Sequence, residues 1–206
     1  MLKKIFKIGP KKDDVIQIWS RIEGLDAVEP IRQSHHFMPD WWMKTPPWQN
    51  DSVKTKNTTD NINNKGTIKR CPAVPEFMSM GFIVPMWCDV RIEIFDDNSW
   101  RWNTPASEFH FGSHGDTQLK NHLPKYARPE VIIKPDCPWL VKTPPGISLL
   151  QLPLFWHFNP AFSVAPGILW SDIHHEINQQ MMFHRYGSFK IERGTPLAQY
   201  IPIRRE

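Results

Sequence analysis

Phe189-Lys190-Ile191-Glu192-Arg193-Gly194-Thr195-Pro196-Leu197-Ala198-Gln199-Tyr200-Ile201-Pro202 is the stretch on which the fold turns. Phe189 and Ile191 alternate with Lys190 and Glu192, the period of a strand with one buried face. Gly194 supplies a turn, and Leu197, Gln199 and Ile201 share one face of a returning strand. This spacing predicts an antiparallel hairpin over 188–202. Upstream, Val90, Ile92 and Ile94 alternate with Arg91 and Glu93. Asp96-Asp97-Asn98 makes a turn, and Trp100 and Trp102 return on one face. A second antiparallel hairpin, with aromatic cross-strand packing, is expected over 89–103. Val131-Ile132-Ile133 and Ser148-Leu149-Leu150-Gln151-Leu152 read as further buried strands. Many short strands broken by Gly and Pro predict a mainly β fold, an antiparallel β-sandwich or barrel.

Composition agrees. The chain has 206 residues, 40% of them hydrophobic, enough for one ordinary core. Twenty Pro argue against long helices. The formal charge of +4 comes from 25 basic and 21 acidic residues spread along the chain, a mixed surface rather than a nucleic-acid footprint. Cys71, Cys88 and Cys137 form no zinc spacing, and their odd number fits a reducing compartment. The apolar part of Met1-Leu2-Lys3-Lys4-Ile5-Phe6-Lys7-Ile8 is too short for a secretion signal, and no stretch has the roughly 18 apolar residues of a membrane span. A protein made in a cytoplasm is the expectation.

Before the strands come three other segments. Residues 13–24 predict one short helix, with Ile16 and Trp19 three apart, Asp13 or Asp14 as cap and Gly24 as terminator. Residues 29–48 form a Trp- and Pro-rich arm centred on Pro39-Asp40-Trp41-Trp42-Met43-Lys44. Its prolines forbid a continuous helix, so an extended arm is expected, with at least two of Trp41, Trp42 and Trp48 largely buried. Residues 50–66 are polar and read as a loop. The organisation is thus 1–48 helix and arm, 49–66 polar loop and 67–206 sandwich body.

The order of several motifs resembles an uncharacterised protein family of tailed bacteriophages, including T4-like phages and cyanophages. They are Pro39-Asp40-Trp41-Trp42-Met43-Lys44, Thr67-Ile68-Lys69-Arg70-Cys71-Pro72, Gly81-Phe82-Ile83, Pro138-Trp139-Leu140-Val141-Lys142-Thr143-Pro144-Pro145-Gly146, Gly194-Thr195-Pro196 and Pro202-Ile203-Arg204-Arg205-Glu206. The resemblance implies a phage protein without an assigned reaction. Its expected place is the host cytoplasm during infection, with the virion as a second location. Its expected partners are other phage proteins or copies of itself, not nucleic acid and not a membrane. Gly167-Ile168-Leu169-Trp170-Ser171-Asp172, followed by the Gly194 turn and the Ala198-Gln199 strand, locally resembles the dUTPase-like β-clip fold. That narrows the expected architecture to a jelly-roll or β-clip type.

Three sets of residues are candidates for chemistry or binding. In dUTPase-like enzymes a carboxylate after the Gly-Val-Ile run is the general base. Trp170 stands at that position, so Asp172 is only the alternative base and a structural role is expected for it. His114-Gly115-Asp116 has the spacing of a two-His-one-carboxylate site for Fe or Mn, with His174 or His175 as third ligand and Arg185 placed to hold an oxo-acid. A solvated turn over Gly112-Ser113-His114-Gly115 explains the same spacing, and no metal or cofactor is expected. Trp41, Trp42 and Trp48 are the third set, suited to burial on the chain's own sheet or against another subunit. The function expected is therefore non-enzymatic, a virion-associated or assembly component acting through protein–protein contacts. The alternative is a metal-dependent oxygenase or a dUTPase-like nucleotide enzyme on a β-sandwich.

Overall fold

The computed structural model describes residues 4–7, 15–48 and 66–205. Strands β1 (Lys4–Lys7), β2 (Val15–Ser20) and β3 (Arg32–Gln33) precede the polar stretch. After it come β4 (Phe82–Pro85), β5 (Val90–Ile94), β6 (Trp100–Asn103), β7 (Phe111–Ser113), β8 (Val131–Pro135) and β9 (Trp139–Lys142). The last six are β10 (Ile147–Pro153), β11 (Phe162–Val164), β12 (Gly167–Leu169), β13 (Met181–Phe183), β14 (Gly187–Ile191) and β15 (Pro196–Arg204). Helices are short: α1 (Leu25–Val28), α2 (Asp40–Lys44) and α3 (Ala73–Ser79).

The strands form four antiparallel sheets, in the orders β1-β2-β9, β12-β10-β15-β4-β3, β11-β13-β8-β7 and β14-β5-β6. Among the described residues none of these closes into a barrel, and the arrangement is that of a β-sandwich. One core joins them. Phe6 stacks on Phe82 with centroids 5.8 Å apart, and Phe82 on Tyr200 at 5.5 Å. Phe183 bridges Phe162 at 5.5 Å and Phe189 at 5.4 Å. Ile16 and Ile18 of β2, Leu149 of β10, Ile92 of β5 and Val164 of β11 are buried in the same cluster. Three polar side chains inside it form one network, as burial favours. The buried Tyr200 hydroxyl donates to Gln151 Oε1 at 2.7 Å and accepts from Gln179 Nε2 at 3.0 Å. Gln151 Nε2 donates to the Ala165 carbonyl at 2.8 Å.

The 89–103 hairpin is present. β5 and β6 pair with Ile92 opposite Trp102 and Ile94 opposite Trp100, and Asn98 turns the chain at φ 63°. That positive φ suits Asn, whose side chain tolerates the left-handed region.

Three expectations need correction. Residues 15–20 are a strand, not part of a helix over 13–24; residues 13 and 14 lie outside those described. Val15, Ile16 and Ile18 are β-branched, and alternate burial of Ile16, Ile18 and Ser20 satisfies a sheet period of two. Gly24, at φ 76°, leads into α1 rather than ending a helix. The strands over 188–202 exist but do not pair with each other. β14 pairs with β5, whereas β15 lies between β10 and β4 with both faces buried. Finally, the segment 29–48 is not an extended arm. It contains β3, a 3₁₀ turn over Ser34–Phe37 and α2, and it is part of the sheet structure through β3.

Candidate functional site

The outer face of the five-stranded sheet carries a second, smaller cluster. Adjacent residues of α2 leave a helix roughly 100° apart, so Trp41 and Trp42 point to different neighbours. Trp42 is buried, 5% exposed, against Val74 and Met78, which lie one helical turn apart on α3. Gln199 of β15 fixes α3 to the sheet: its Nε2 donates to the Phe77 and Met80 carbonyls at 2.8 and 2.7 Å, satisfying acceptors at the helix end. Ser34 Oγ donates to the same Met80 carbonyl at 2.7 Å, tying the 3₁₀ turn before α2 to it. Lys69 Nζ donates to the Trp42 and Met43 carbonyls at 3.1 and 3.3 Å.

Trp41 turns sideways, to a 3₁₀ turn over Phe155–His157 that follows β10. Its Nε1 donates to the Trp156 carbonyl at 2.8 Å. Its ring lies 6.1 Å from Trp156 and 5.7 Å from Phe158. Phe155 meets Trp156 edge-on at 5.2 Å and Phe158 at 5.9 Å. The outer rings of this cluster face solvent: Phe155 is 63% exposed and Phe158 58%. Phe158 also sits at φ 49°, ψ 41°, a conformation that costs a non-glycine residue about 1 kcal/mol or more.

Beside these rings opens a groove of about 500 Å³, between residues 153–160, the start of β11 and the turn into β15. Its lining includes Phe155, His157, Phe158, Asn159, Thr195 and Leu197, and among the described residues no Asp, Glu, Lys or Arg. Burial lowers the His157 pKa below its ordinary 6.5, which keeps the ring neutral at physiological pH. On the far rim Ser163 Oγ and His184 Nε2 are 2.8 Å apart.

Of the three tryptophans singled out in the sequence, two meet here. Trp42 is buried and Trp41 half-buried, so the expectation of two largely buried rings is met by one. Trp48 stands apart, 56% exposed. It forms a bridge with Gly66 and lies under the Arg70 guanidinium, 3.6 Å from the ring centroid. A cation over an indole face replaces burial at this position. The run Phe155-Trp156-His157-Phe158 was not singled out, though its aromatic density between Pro153 and Pro160 is a local signal.

The other candidates sit elsewhere. Asp172 Oδ2 accepts from the Gly146 N–H at 3.0 Å and pairs with Arg205, whose guanidinium lies 4.9 Å from the Trp170 centroid. Burial alone would raise the Asp172 pKa, but the Gly146 N–H and the Arg205 charge outweigh it and hold the carboxyl below its ordinary 3.8. This geometry clamps the chain end to the turn after β9. His114 Nδ1 lies 3.1 Å from Gln118 Oε1, and Asp116 lies 3.9 Å from Lys120. His175 Nδ1 contacts the Ser171 carbonyl at 3.0 Å, and the His174 N–H donates to the Trp170 carbonyl at 2.8 Å. Arg185 lies over the Phe189 ring at 5.6 Å. Among the described residues no three His, Cys, Asp or Glu side chains are grouped to hold an ion.

No family profile, curated protein or solved structure matches the chain.

Proposed function

We propose that this chain is a non-enzymatic assembly component, of the kind the phage resemblance implies, and that it acts through the aromatic face described above. One observation carries the reading: Phe155 and Phe158 stand mostly in water although Trp41 and Trp156 hold them in place. Each ring represents 150–250 Å² of surface, and such patches on a soluble protein mark contact sites. The strained Phe158 backbone points the same way, because strain is retained where a side chain must be presented. Partners would be other proteins of the same assembly or further copies of the chain.

The test is incorporation. Mass spectrometry of purified virions should find the chain at a fixed copy number. The double variant Phe155→Ser, Phe158→Asn should reduce that number at least tenfold, as loss of two buried rings at about 1.5–3 kcal/mol each allows. Asn suits the left-handed backbone at 158, and circular dichroism should show the fold retained. Wild-type incorporation of the double variant would remove the face from the contact. Turnover of dUTP by the purified chain would instead favour a nucleotide enzyme.

A further inference from the structure

We propose that the open edge of β12 pairs with the same edge of a second copy, about a two-fold axis at Ile168, and so joins two five-stranded sheets into one. The contact uses other residues than Phe155 and Phe158, goes beyond the aromatic-face reading and stands without it.

The hydrogen-bond phase of the sheet decides which groups the edge offers. The Arg205 N–H donates to the Gly146 carbonyl at 2.8 Å, so Ser148, Leu150 and Leu152, at even spacing along β10, spend their backbone groups on β15. Leu149 and Gln151 therefore spend theirs on Leu169 and Gly167 of β12. Ile168 lies between these two and turns its N–H and C=O away from the sheet. β12 is the last strand of its sheet, and among the described residues neither group has a partner.

That edge is complementary to itself. An antiparallel pair of two identical residues across a two-fold axis makes two hydrogen bonds, each Ile168 N–H donating to the other Ile168 carbonyl. The same register sets Pro166 opposite Trp170 of the second copy. Pro166 has no N–H to give. The Trp170 carbonyl needs none, because it already accepts from the Ile173 and His174 N–H groups at 3.0 and 2.8 Å. What remains at this position is a Trp170 N–H and a Pro166 carbonyl, a donor facing an acceptor, and among the described residues both are without a partner. A missing donor thus meets a used acceptor on each side of the axis, a match that an unrelated extended segment would reproduce only by chance.

The side chains agree. Ile168 stands in one row with Leu150 and Ile201 on the outer face of the sheet. Ile168, Trp170 and Ile173 are between 55% and 58% exposed. One face of the Trp170 indole carries Arg205, and the register leaves the rest of the ring to pack on Pro166 of the second copy. Other open edges carry a cation that discourages pairing: Arg32 on β3, Arg101 on β6 and Lys190 on β14. Gly167-Ile168-Leu169 carries no charge, so nothing on the strand repels its own copy.

A ladder this short falls below the roughly 1,200 Å² of a standard interface, so the dimer should be weak. Sedimentation velocity of the purified full chain, from about 10 μM towards 1 mM, covers that range. The wild type should pass from monomer to dimer. Ile168→Lys and Ile168→Glu each place two like charges face to face across the axis and should each weaken association about tenfold or more. An equimolar mixture of the two should associate again, because Lys then meets Glu. Circular dichroism melts like the wild type's establish that both variants fold. Independently, Ile168→Cys in a Cys71→Ser background should give a disulfide-linked dimer under mild oxidation, since the Cα atoms of such a pair lie about 5.5 Å apart. The Phe155→Ser, Phe158→Asn double variant should dimerise like the wild type. A monomeric wild type, a Lys or Glu variant that associates normally, a mixture that stays monomeric, or an Ile168→Cys chain that does not cross-link would each overturn the proposal. So would loss of the dimer in the Phe155, Phe158 double variant, which would move the contact to the aromatic face.

Discussion

Gly81 joins α3 to β4 where the helix end is held by Gln199 of β15, and replacing it with Ala should separate two costs that usually act together. The residue sits at φ 67°, where an alanine is disfavoured by about 1–2 kcal/mol. A Cβ built there would lie 1.9 Å from the Tyr200 carbonyl oxygen, 2.9 Å from its carbon and 3.1 Å from Ile201 Cα. All three are backbone atoms of β15, which is paired on both sides. The strand has no free direction in which to yield, so overpacking adds about 1–3 kcal/mol. The total is about 2–5 kcal/mol, or roughly 4–20 °C in Tm for a domain of this size. Gly146 supplies the control, since it has φ 78° and no atom within 4 Å of its built Cβ. Gly146→Ala should therefore cost only the conformational part, roughly 2–8 °C. Calorimetric melts of the wild type and the two variants measure the difference. Variants melting together would mean that the contact with Tyr200 does not constrain the chain, and the reasoning would be refuted.

Four further outcomes are expected. Trp42→Ala should cost about 3–5 kcal/mol, as large-to-small core changes do, whereas Trp48→Ala should cost about 1 kcal/mol or less because it loses only an exposed cation contact; urea titrations distinguish them. The depressed Asp172 pKa makes a contribution to stability that is present above the ordinary carboxylate value and lost as pH falls through the folded one. Asp172→Asn should accordingly flatten the stability profile below about pH 4 in acid titrations followed by circular dichroism. Cys71 is exposed, while burial raises Cys88 to about 11 and Cys137 to about 12, so a thiol reagent at pH 8 should modify Cys71 first and the others only on unfolding. Deleting residues 1–48 removes Ile16, Ile18, Leu25 and Ile31 from the core, about 6–12 kcal/mol at 1.5–3 kcal/mol each, and should leave a chain without a cooperative melt.

How much was legible depended on how local the deciding contact was. The 89–103 hairpin was readable because alternation, turn and cross-strand partners all fall within about fifteen residues. In Val15–Ser20 two periods compete: Ile16 and Trp19 match a helix, Ile16 and Ile18 a strand. β-Branching and pairing with β9, more than a hundred residues away, decide for the strand. The strands over 188–202 were recognisable from alternation, yet alternation does not say which neighbour a strand takes. β15 is central, with Gln199 turned towards α3, and both its edges are taken by β10 and β4, while β14 pairs with β5.

The same distinction explains why the aromatic site was half visible. Trp41 and Trp42 stand out in the sequence, but their roles differ through contacts that no local pattern encodes. Trp42 is buried because α3 supplies Val74 and Met78. Trp41 becomes part of a surface because Trp156, 115 residues later, accepts its N–H. An indole that spends its donor on a backbone carbonyl is fixed in orientation and leaves its ring face for packing. Phe155 and Phe158 are then supported from beneath while their outer faces remain in water. Trp48 and Trp170 are exposed as well, but each carries a guanidinium on its ring. Phe155 and Phe158 are held by other rings with their outer faces bare, and on that support without burial the proposed contact rests.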